Sequence, residues 1–314
     1  MPPSPSAFAD ALVLTGPTGS GKSAVALELA ERIGAYIVSM DSMTLYRGLD
    51  IGTAKPTGEE LARVRHHLID VLDPWESANV AWWLDRAADT CTDIRSRGRR
   101  PLFVGGTPFY LKALLCGLFD SPPADPELRR RLEAEADPLA LHARLAGVDP
   151  KTAARLHAND VRRVVRALEV WELTGRPISA FQQSWAAPPA PLPCVVLDWP
   201  RDELYRRIET RIDAMLAAGW LDEVRRLADL PRPLSKEAAH ALGYRELLAH
   251  LNGTDWAETV ALIKTRTRQF AKRQLTWFRN LDNCRQCPAD QPNVAERVHG
   301  LWREESLRLP ETET

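Results

Sequence analysis

Cysteine is scarce in this chain, at five of 314 residues. Cys91, Cys116, Cys194, Cys284 and Cys287 are scattered and odd in number, which argues against a disulfide framework. Only Cys284 and Cys287 form a C-x-x-C pair. With no second pair and only His299 nearby, they read as free thiols in a C-terminal loop and not as a zinc site. An excess of either charge is also missing: 41 basic against 42 acidic residues leave a net charge of −1, so no global positive field announces a nucleic-acid partner. No apolar run approaches a membrane span, and the start Met1-Pro2-Pro3-Ser4-Pro5-Ser6 has neither a basic region nor an apolar signal core. The expectation is a cytoplasmic protein without a membrane partner, acting as a monomer. No internal repeat is present. What remains, at 45% hydrophobic and 26% charged residues, is enough to bury one large core or two smaller ones.

Against those absences stands one dense motif. Gly16-Pro17-Thr18-Gly19-Ser20-Gly21-Lys22-Ser23 fits the pattern G-x-x-x-x-G-K-[ST] and follows the apolar run Ala11 to Leu14, which reads as a buried strand. Glycines let backbone N–H groups converge on phosphate oxygens. Lys22 adds a positive charge, Ser23 can ligate Mg2+, and a helix starting at Lys22 turns its N-terminus toward the anion. The motif specifies a polyphosphate and leaves open whether it belongs to a nucleotide.

Strands and helices alternate through the first part of the chain: Ala11 to Leu14, a helix to about Ile33, Tyr36 to Met40 ending at Asp41, and Pro101 to Val104. That is the pattern of a parallel sheet with helices on both faces. The run His67 to Leu72 reads as a further strand and Ala81 to Ser96 as a crossover helix. From about Asp120, helix starts recur without strands between them, at Asp125-Pro126, Asp137-Pro138, Asp149-Pro150 and Asn159-Asp160. They predict a small all-α insert that closes at Thr174-Gly175. A proline-rich connector, Ala186 to Pro193, then leads to a strand at Cys194 to Asp198. The predicted fold is α/β, a P-loop NTPase-like parallel sheet flanked by helices. Its core spans residues 1–120 and 194–314, with a helical insertion domain over 121–193.

In such a sheet, ligands bind beyond the carboxyl ends of the strands, so Gly16 to Ser23, Asp41 and Gly105-Gly106-Thr107 should gather at one crevice. Two roles compete for Asp41, metal holder and general base. From Thr259 to Asn280 there is no acidic residue, while Lys264, Arg266, Arg268, Lys272, Arg273 and Arg279 fall there. A helical projection puts Arg268, Lys272 and Arg279 on a solvent or polyanion face. Arg266 and Arg273 fall with Ile263, Phe270 and Trp277, where they would need a crevice anion or an internal carboxylate as partner. His66 and His67 read as satisfied structural histidines. Trp82, Trp83 and Trp277 read as core.

Together these stretches resemble the tRNA dimethylallyltransferases. The resemblance rests on Gly16 to Ser23, Asp41-Ser42, and Tyr46-Arg47-Gly48-Leu49-Asp50-Ile51-Gly52-Thr53-Ala54-Lys55-Pro56. It continues through Gly105-Gly106-Thr107 with Tyr110, Arg166-Ala167-Leu168-Glu169-Val170, Leu242-Gly243-Tyr244-Arg245 and Lys272-Arg273-Gln274-Leu275-Thr276-Trp277. The phosphate loop is common to many enzymes; the D-I-G-T-A-K-P run and the ordered ensemble are not.

The resemblance implies a fold related to small kinases that binds dimethylallyl diphosphate where a kinase holds nucleotide phosphates. It implies a transferase that moves the dimethylallyl group to the N6 amine of an adenine beside the anticodon. The diphosphate site would be Gly16, Pro17, Thr18, Gly19, Ser20, Gly21, Lys22 and Ser23 with Arg211, and Mg2+ would sit on Ser23. Asp41 would be the base, with Thr107 and Lys22 in the catalytic set. The tRNA anticodon stem-loop would meet Asp41, Ser42, Met43, Thr44, Thr107 and Arg129. Further contacts would come from Arg162, Arg163, Val164, Val165 and Arg166, and from His240, Ala241, Leu242, Gly243, Tyr244 and Arg245. Thr44 stands where many members carry Gln, Asn79 to Trp83 replaces a common segment, and no C-terminal zinc finger of the eukaryotic kind is present, which suggests a bacterial or organellar-type compact form. The alternatives are a P-loop kinase or ATPase acting on a small molecule, and a non-catalytic RNA-binding protein using the loop as a nucleotide sensor.

Overall fold

The computed structural model describes residues 3, 5–118, 122–135, 137–182, 192–281 and 283–308. Six strands form one sheet: β1 (Leu12–Thr15), β2 (Ala35–Ser39), β3 (His66–His67), β4 (Arg100–Gly105), β5 (Cys194–Asp198) and β6 (Cys284–Pro288). Their order is β3-β2-β4-β1-β5-β6, and every pairing is parallel. Strands covered on both faces lose the polar alternation of a half-exposed strand, which explains the continuous apolar run through β1. The chain divides into two compact units, Pro3–Leu115 with Ala190–Thr314, and Cys116–Pro189.

In the sheet-bearing unit, register levels the strand ends that matter. Thr15 pairs with Gly105 and with Val196, and Ser39 pairs with Val104. Buried Thr15 Oγ1 donates to Gly105 O at 2.7 Å, tying β1 to β4 where both loops begin. The helix Lys22–Ile33 then packs Ala26, Leu27, Leu29 and Ala30 on the sheet. It opens at Gly21 and closes at Gly34, both with positive φ (83° and 65°), the left-handed geometry that glycine adopts without strain. The same core takes in Trp302 from the helix Val294–Arg308, whose Nε1 donates to Val13 O at 3.1 Å.

The structure departs from expectation at both sheet edges. The run His67 to Leu72 is not a continuous strand: His66–His67 pairs with β2, Leu68 and Asp70 adopt positive φ (59° and 55°), which ends the extended conformation, and Leu72 makes only an isolated bridge to Tyr46. At the other edge, Cys284 and Cys287 lie not in a loop but on β6, with Cys194 opposite Cys284. All five cysteines are free. Of the two histidines read as satisfied, His66 Nδ1 bonds to Val64 O at 2.8 Å, whereas His67 Nε2 is buried without a partner. Trp83 is core as expected: it stacks on Tyr110 and donates to Ser39 O at 3.1 Å, while Trp82 is half-buried with Arg86 over its ring.

In the helical unit, three of the four signalled starts are capped by side chains. Asp125, Asp137 and Asp149 each accept backbone N–H groups at the heads of Pro126–Ala134, Pro138–Val148 and Pro150–Ala153. Val161–Thr174 follows Asp160 without a side-chain cap and ends at Gly175 in left-handed geometry. A short helix, Ile178–Phe181, was not anticipated. Leu132, Leu141, Leu145, Val164, Val165 and Leu168 form this unit's own core. The boundary at Asp120, and the connector from Ala186 to Pro191, lie outside the described residues.

Candidate phosphate and base site

Beyond the carboxyl ends of β1, β2 and β4, a cavity of about 510 Å³ is lined by Thr18, Lys22, Ser23, Asp41, Thr107 and Arg211. Ser42, Met43 and Thr44 join them on one wall, and His240, Ala241, Leu242, Tyr244 and Arg245 on another. A second cavity of about 710 Å³ carries Gly19, Gly21, Arg206 and Arg207 and shares Lys22, Ser23, His66 and Arg211 with the first. The two spaces therefore meet at the start of the phosphate helix.

Side chains from the second half of the chain hold the loop in place. Thr18 N–H donates to Gln274 Oε1 at 2.9 Å, and Arg211 donates to Thr18 Oγ1 at 2.5 Å. Arg207 donates to Gly19 O at 3.0 Å and lies 4.1 Å over the Trp199 ring, whose Nε1 donates to Ser20 O at 2.9 Å. Gly16 is needed for clearance, since a Cβ there would come within 2.9 Å of Leu197 O.

Cations converge here with too few anions. Desolvation pushes the Lys22 ammonium down to about 8, with the Asp41 charge opposing that shift and Arg211 reinforcing it. Burial likewise depresses Arg211, against the pull of Asp41, and its Nε is buried without a partner. Ser20 Oγ, beside Gly16, is buried and unpartnered too. Buried donors left unmatched cost free energy unless something else satisfies them, so this site is built for a bound anion.

Asp41 leaves β2 in a tight turn. Its Oδ1 accepts Met43 N–H at 2.9 Å, and its backbone carbonyl accepts Thr44 Oγ1 at 3.2 Å. Thr107 Oγ1 accepts Ser42 N–H at 3.1 Å, joining the Asp41 turn to the loop after β4. The Asp50-to-Pro56 run forms an adjoining wall held by Glu223, which accepts Asp50 and Ile51 N–H at 3.1 and 2.8 Å and Tyr244 O–H at 2.6 Å. Lys55 ties the same run to Tyr46 O at 2.6 Å and to Asp50 and Asp70. Tyr244 is thus fixed inside the wall, and Trp220 packs onto the bare Cα atoms of Gly52 and Gly243.

The remaining residues named from the sequence divide in two. Val164 and Val165 are core side chains of the helical unit, 0% and 1% exposed. Arg162 and Arg163 are exposed, and Arg129 and Arg166 both pair with the buried Glu169. On the helix Trp256–Arg279 the buried stripe is Thr259, Ile263, Thr267, Ala271, Gln274, Leu275 and Phe278. It lies to one side of the Arg266–Arg273 stripe that the projection chose. Arg273 is exposed at the cavity rim with Phe270 beneath it, a correction to its expected burial. Arg266 meets the internal carboxylate of Glu246, and Lys272 and Arg279 are exposed as expected. Arg268 is half-buried and paired with Glu209, because the helix Arg201–Ala217 packs alongside. Arg207 was missed, although it lies one turn before Arg211 and on the same helical face.

A parallel sheet with a P-loop-like loop, beside which a carboxylate and a hydroxyl line one cavity, places the chain in the P-loop-like α/β class. Within that class the chain belongs to the IPP transferase family, whose model matches residues 44–281, and a model for isopentenyl transferases matches residues 9–72. It is 51% identical over 274 residues to a tRNA dimethylallyltransferase of Geobacter metallireducens, covering 85% of this chain and 89% of the relative. One from Methylibium petroleiphilum is 46% identical over 313 residues, 94% of each. Among solved structures, the tRNA isopentenylpyrophosphate transferase of Bacillus halodurans aligns with a TM-score of 0.70 at 38% identity, over 95% of this chain and 98% of that one. A eukaryotic dimethylallyltransferase acting on tRNA aligns with a TM-score of 0.81 at 26% identity, over 97% and 81%.

Proposed function

We propose that this chain transfers the dimethylallyl group of dimethylallyl diphosphate to the N6 amine of an adenine in the tRNA anticodon loop, releasing diphosphate. The observation that carries this reading is the meeting of Lys22, Ser23, Arg211, Asp41 and Thr107 on one cavity, with cationic and hydroxyl groups buried short of partners. The exocyclic amine of adenine is a poor nucleophile because its lone pair is delocalised into the ring. Asp41 accepts its proton as the bond to carbon forms. The leaving diphosphate gathers charge, which Lys22, Arg211 and the loop amides stabilise in a desolvated site. Thr107, bonded to the Asp41 turn, orients the base. A stacked adenine cannot reach such a cavity, so it is swung out of the loop.

Ser23 and Asp41 are hard oxygen donors suited to Mg2+, but no group of three His, Cys, Asp or Glu able to hold a metal exists among the described residues. Mg2+ would draw its other ligands from diphosphate and water, and would add charge neutralisation at the leaving group. In the helical unit the exposed Arg162 and Arg163 are the groups offered to RNA phosphates, whereas Arg166 is engaged by Glu169 and Pro122 O. No described helix is long and apolar enough to cross a membrane, and a tRNA substrate fits a cytoplasmic monomer.

The test is an incubation of the protein with unmodified tRNA, Mg2+ and either dimethylallyl diphosphate or ATP, followed by mass analysis of the nucleosides. One isoprenyl group gained with the diphosphate alone supports the reading. ATP turnover without prenylation overturns it.

A further inference from the structure

Gln274 lies within the helix Trp256–Arg279 and is 2% exposed. Its amide joins two loops that are far apart in sequence: Oε1 accepts Thr18 N–H at 2.9 Å, and Nε2 donates to Gly106 O at 2.6 Å. An amide bonded at both ends cannot turn over without breaking both contacts. A Cβ on Gly106 would come within 2.8 Å of Gln274 Nε2, so the bare glycine is what lets the amide in.

The consequence falls on the donors of the phosphate loop. Pro17 has no N–H. Thr18 N–H is taken by Gln274, and Ser20 N–H donates to Pro17 O at 3.2 Å. From Pro17 to Ser20 only the Gly19 amide is left uncommitted among the described hydrogen bonds, and the remaining open donors gather at Gly21, Lys22 and Ser23, at the head of the helix. A loop that grips a triphosphate cradles it with a run of backbone N–H groups while its lysine reaches the β- and γ-phosphates, so a longer anion needs a longer run of free amides. With Thr18 and Ser20 N–H committed, the nest is shorter.

We propose that Gln274 sets the length of the phosphate nest, fitting the loop to a diphosphate and turning away a triphosphate tail. The inference rests on the proposed use of the loop as a diphosphate site. Gln274 is a positioning residue, acting through Thr18 and Gly106.

The test is calorimetric titration of the whole protein with inorganic diphosphate and with inorganic tripolyphosphate at fixed Mg2+, for the native chain, Gln274→Met and Gln274→Glu. The native protein is expected to prefer diphosphate. Gln274→Met frees Thr18 N–H and should move the ratio of the two dissociation constants about tenfold toward tripolyphosphate, the worth of one hydrogen bond to a charged group. Gln274→Glu keeps an acceptor on Thr18 N–H, so it should retain the preference while binding both anions more weakly. An unchanged ratio in folded Gln274→Met, or a lost preference in Gln274→Glu, overturns the proposal. Should Gln274→Met fail to fold, Gln274→Asn, too short to span both loops, carries the same expectation. A native protein that prenylates tRNA but binds the two anions alike refutes this inference alone. One that prefers diphosphate but never prenylates refutes the functional reading instead.

Discussion

The phosphate site and the helical unit both gather arginines, but they treat them in opposite ways. Around the loop, Arg211 is buried with an unpartnered Nε and Lys22 is held down to about 8 by desolvation. In the helical unit, Arg129 and Arg166 converge on Glu169, and Arg131 and Arg144 on Glu172. One region leaves its cations in want of an anion; the other supplies the anion itself. Buried charge without a partner is expensive, so its presence marks a place where a ligand completes the structure. Paired arginines at a surface are an architectural feature first, and only the edges they leave free can meet RNA.

The contrast breaks most sharply at Asp41. Asp41→Asn preserves the turn's size and removes the proton acceptor, so single-turnover prenyl transfer should fall about 10²- to 10⁴-fold while tRNA affinity holds. Near-native turnover would return Asp41 to the role of metal holder. Next is Glu169, whose side chain is fully buried. Burial would raise its pKa, but the bonds from Arg166, Arg129 and Asp125 N–H outweigh that and hold it below the usual value. Glu169→Ala should cost about 3 kcal/mol, toward the low end for a broken buried pair because both arginines reach solvent. The stabilisation from a depressed carboxyl is full above the unfolded-state glutamate pKa and is lost as pH falls through the folded one. The melting gap between native and variant should therefore narrow in acid; a gap that stays constant would show that packing, not charge, is what Glu169 contributes. The smallest effect belongs to Arg162, which is exposed and has no ion pair among the described residues. Arg162→Ala should leave melting unchanged and make the salt dependence of tRNA binding shallower by about one counterion, and an unaltered slope would remove it from the RNA surface.

Much of the site was legible because glycine patterns and strand ends carry local signals. The P-loop, Asp41 after β2 and Gly105-Gly106-Thr107 at the end of β4 were placed from such signals, and sheet register brings them level. The three capped helix starts, at Asp125, Asp137 and Asp149, were equally local, since a cap lies within three residues of what it caps. What escaped depends on distant partners. β6 is short and polar at Arg285 and Gln286, and it becomes a strand only because β5 offers an edge. The buried face of the basic helix was misjudged because Thr267 and Gln274 are polar, yet both are buried against the site, and Gln274 finds its partners at Thr18 and Gly106. Hydrophobicity alone shifted the stripe toward Phe270 and Trp277. The D-I-G-T-A-K-P run was conspicuous, but its anchor, Glu223, is about 170 residues away and has no local signature.

The central claim, that the loop is a desolvated cation site completed by diphosphate, is tested most directly by the affinity for dimethylallyl diphosphate measured from pH 6.5 to 9.5. A phosphate ester loses its last proton near pH 6, so the ligand's charge changes little over most of that range. Lys22, at about 8 in the free protein, must take up a proton to pair with the anion. Affinity should therefore be nearly level below pH 7 and fall by up to tenfold per unit above pH 8, with proton uptake seen calorimetrically, whereas Lys22→Arg, which stays charged, should show no such fall. A native profile that stays level to pH 9.5 without proton uptake would contradict the account.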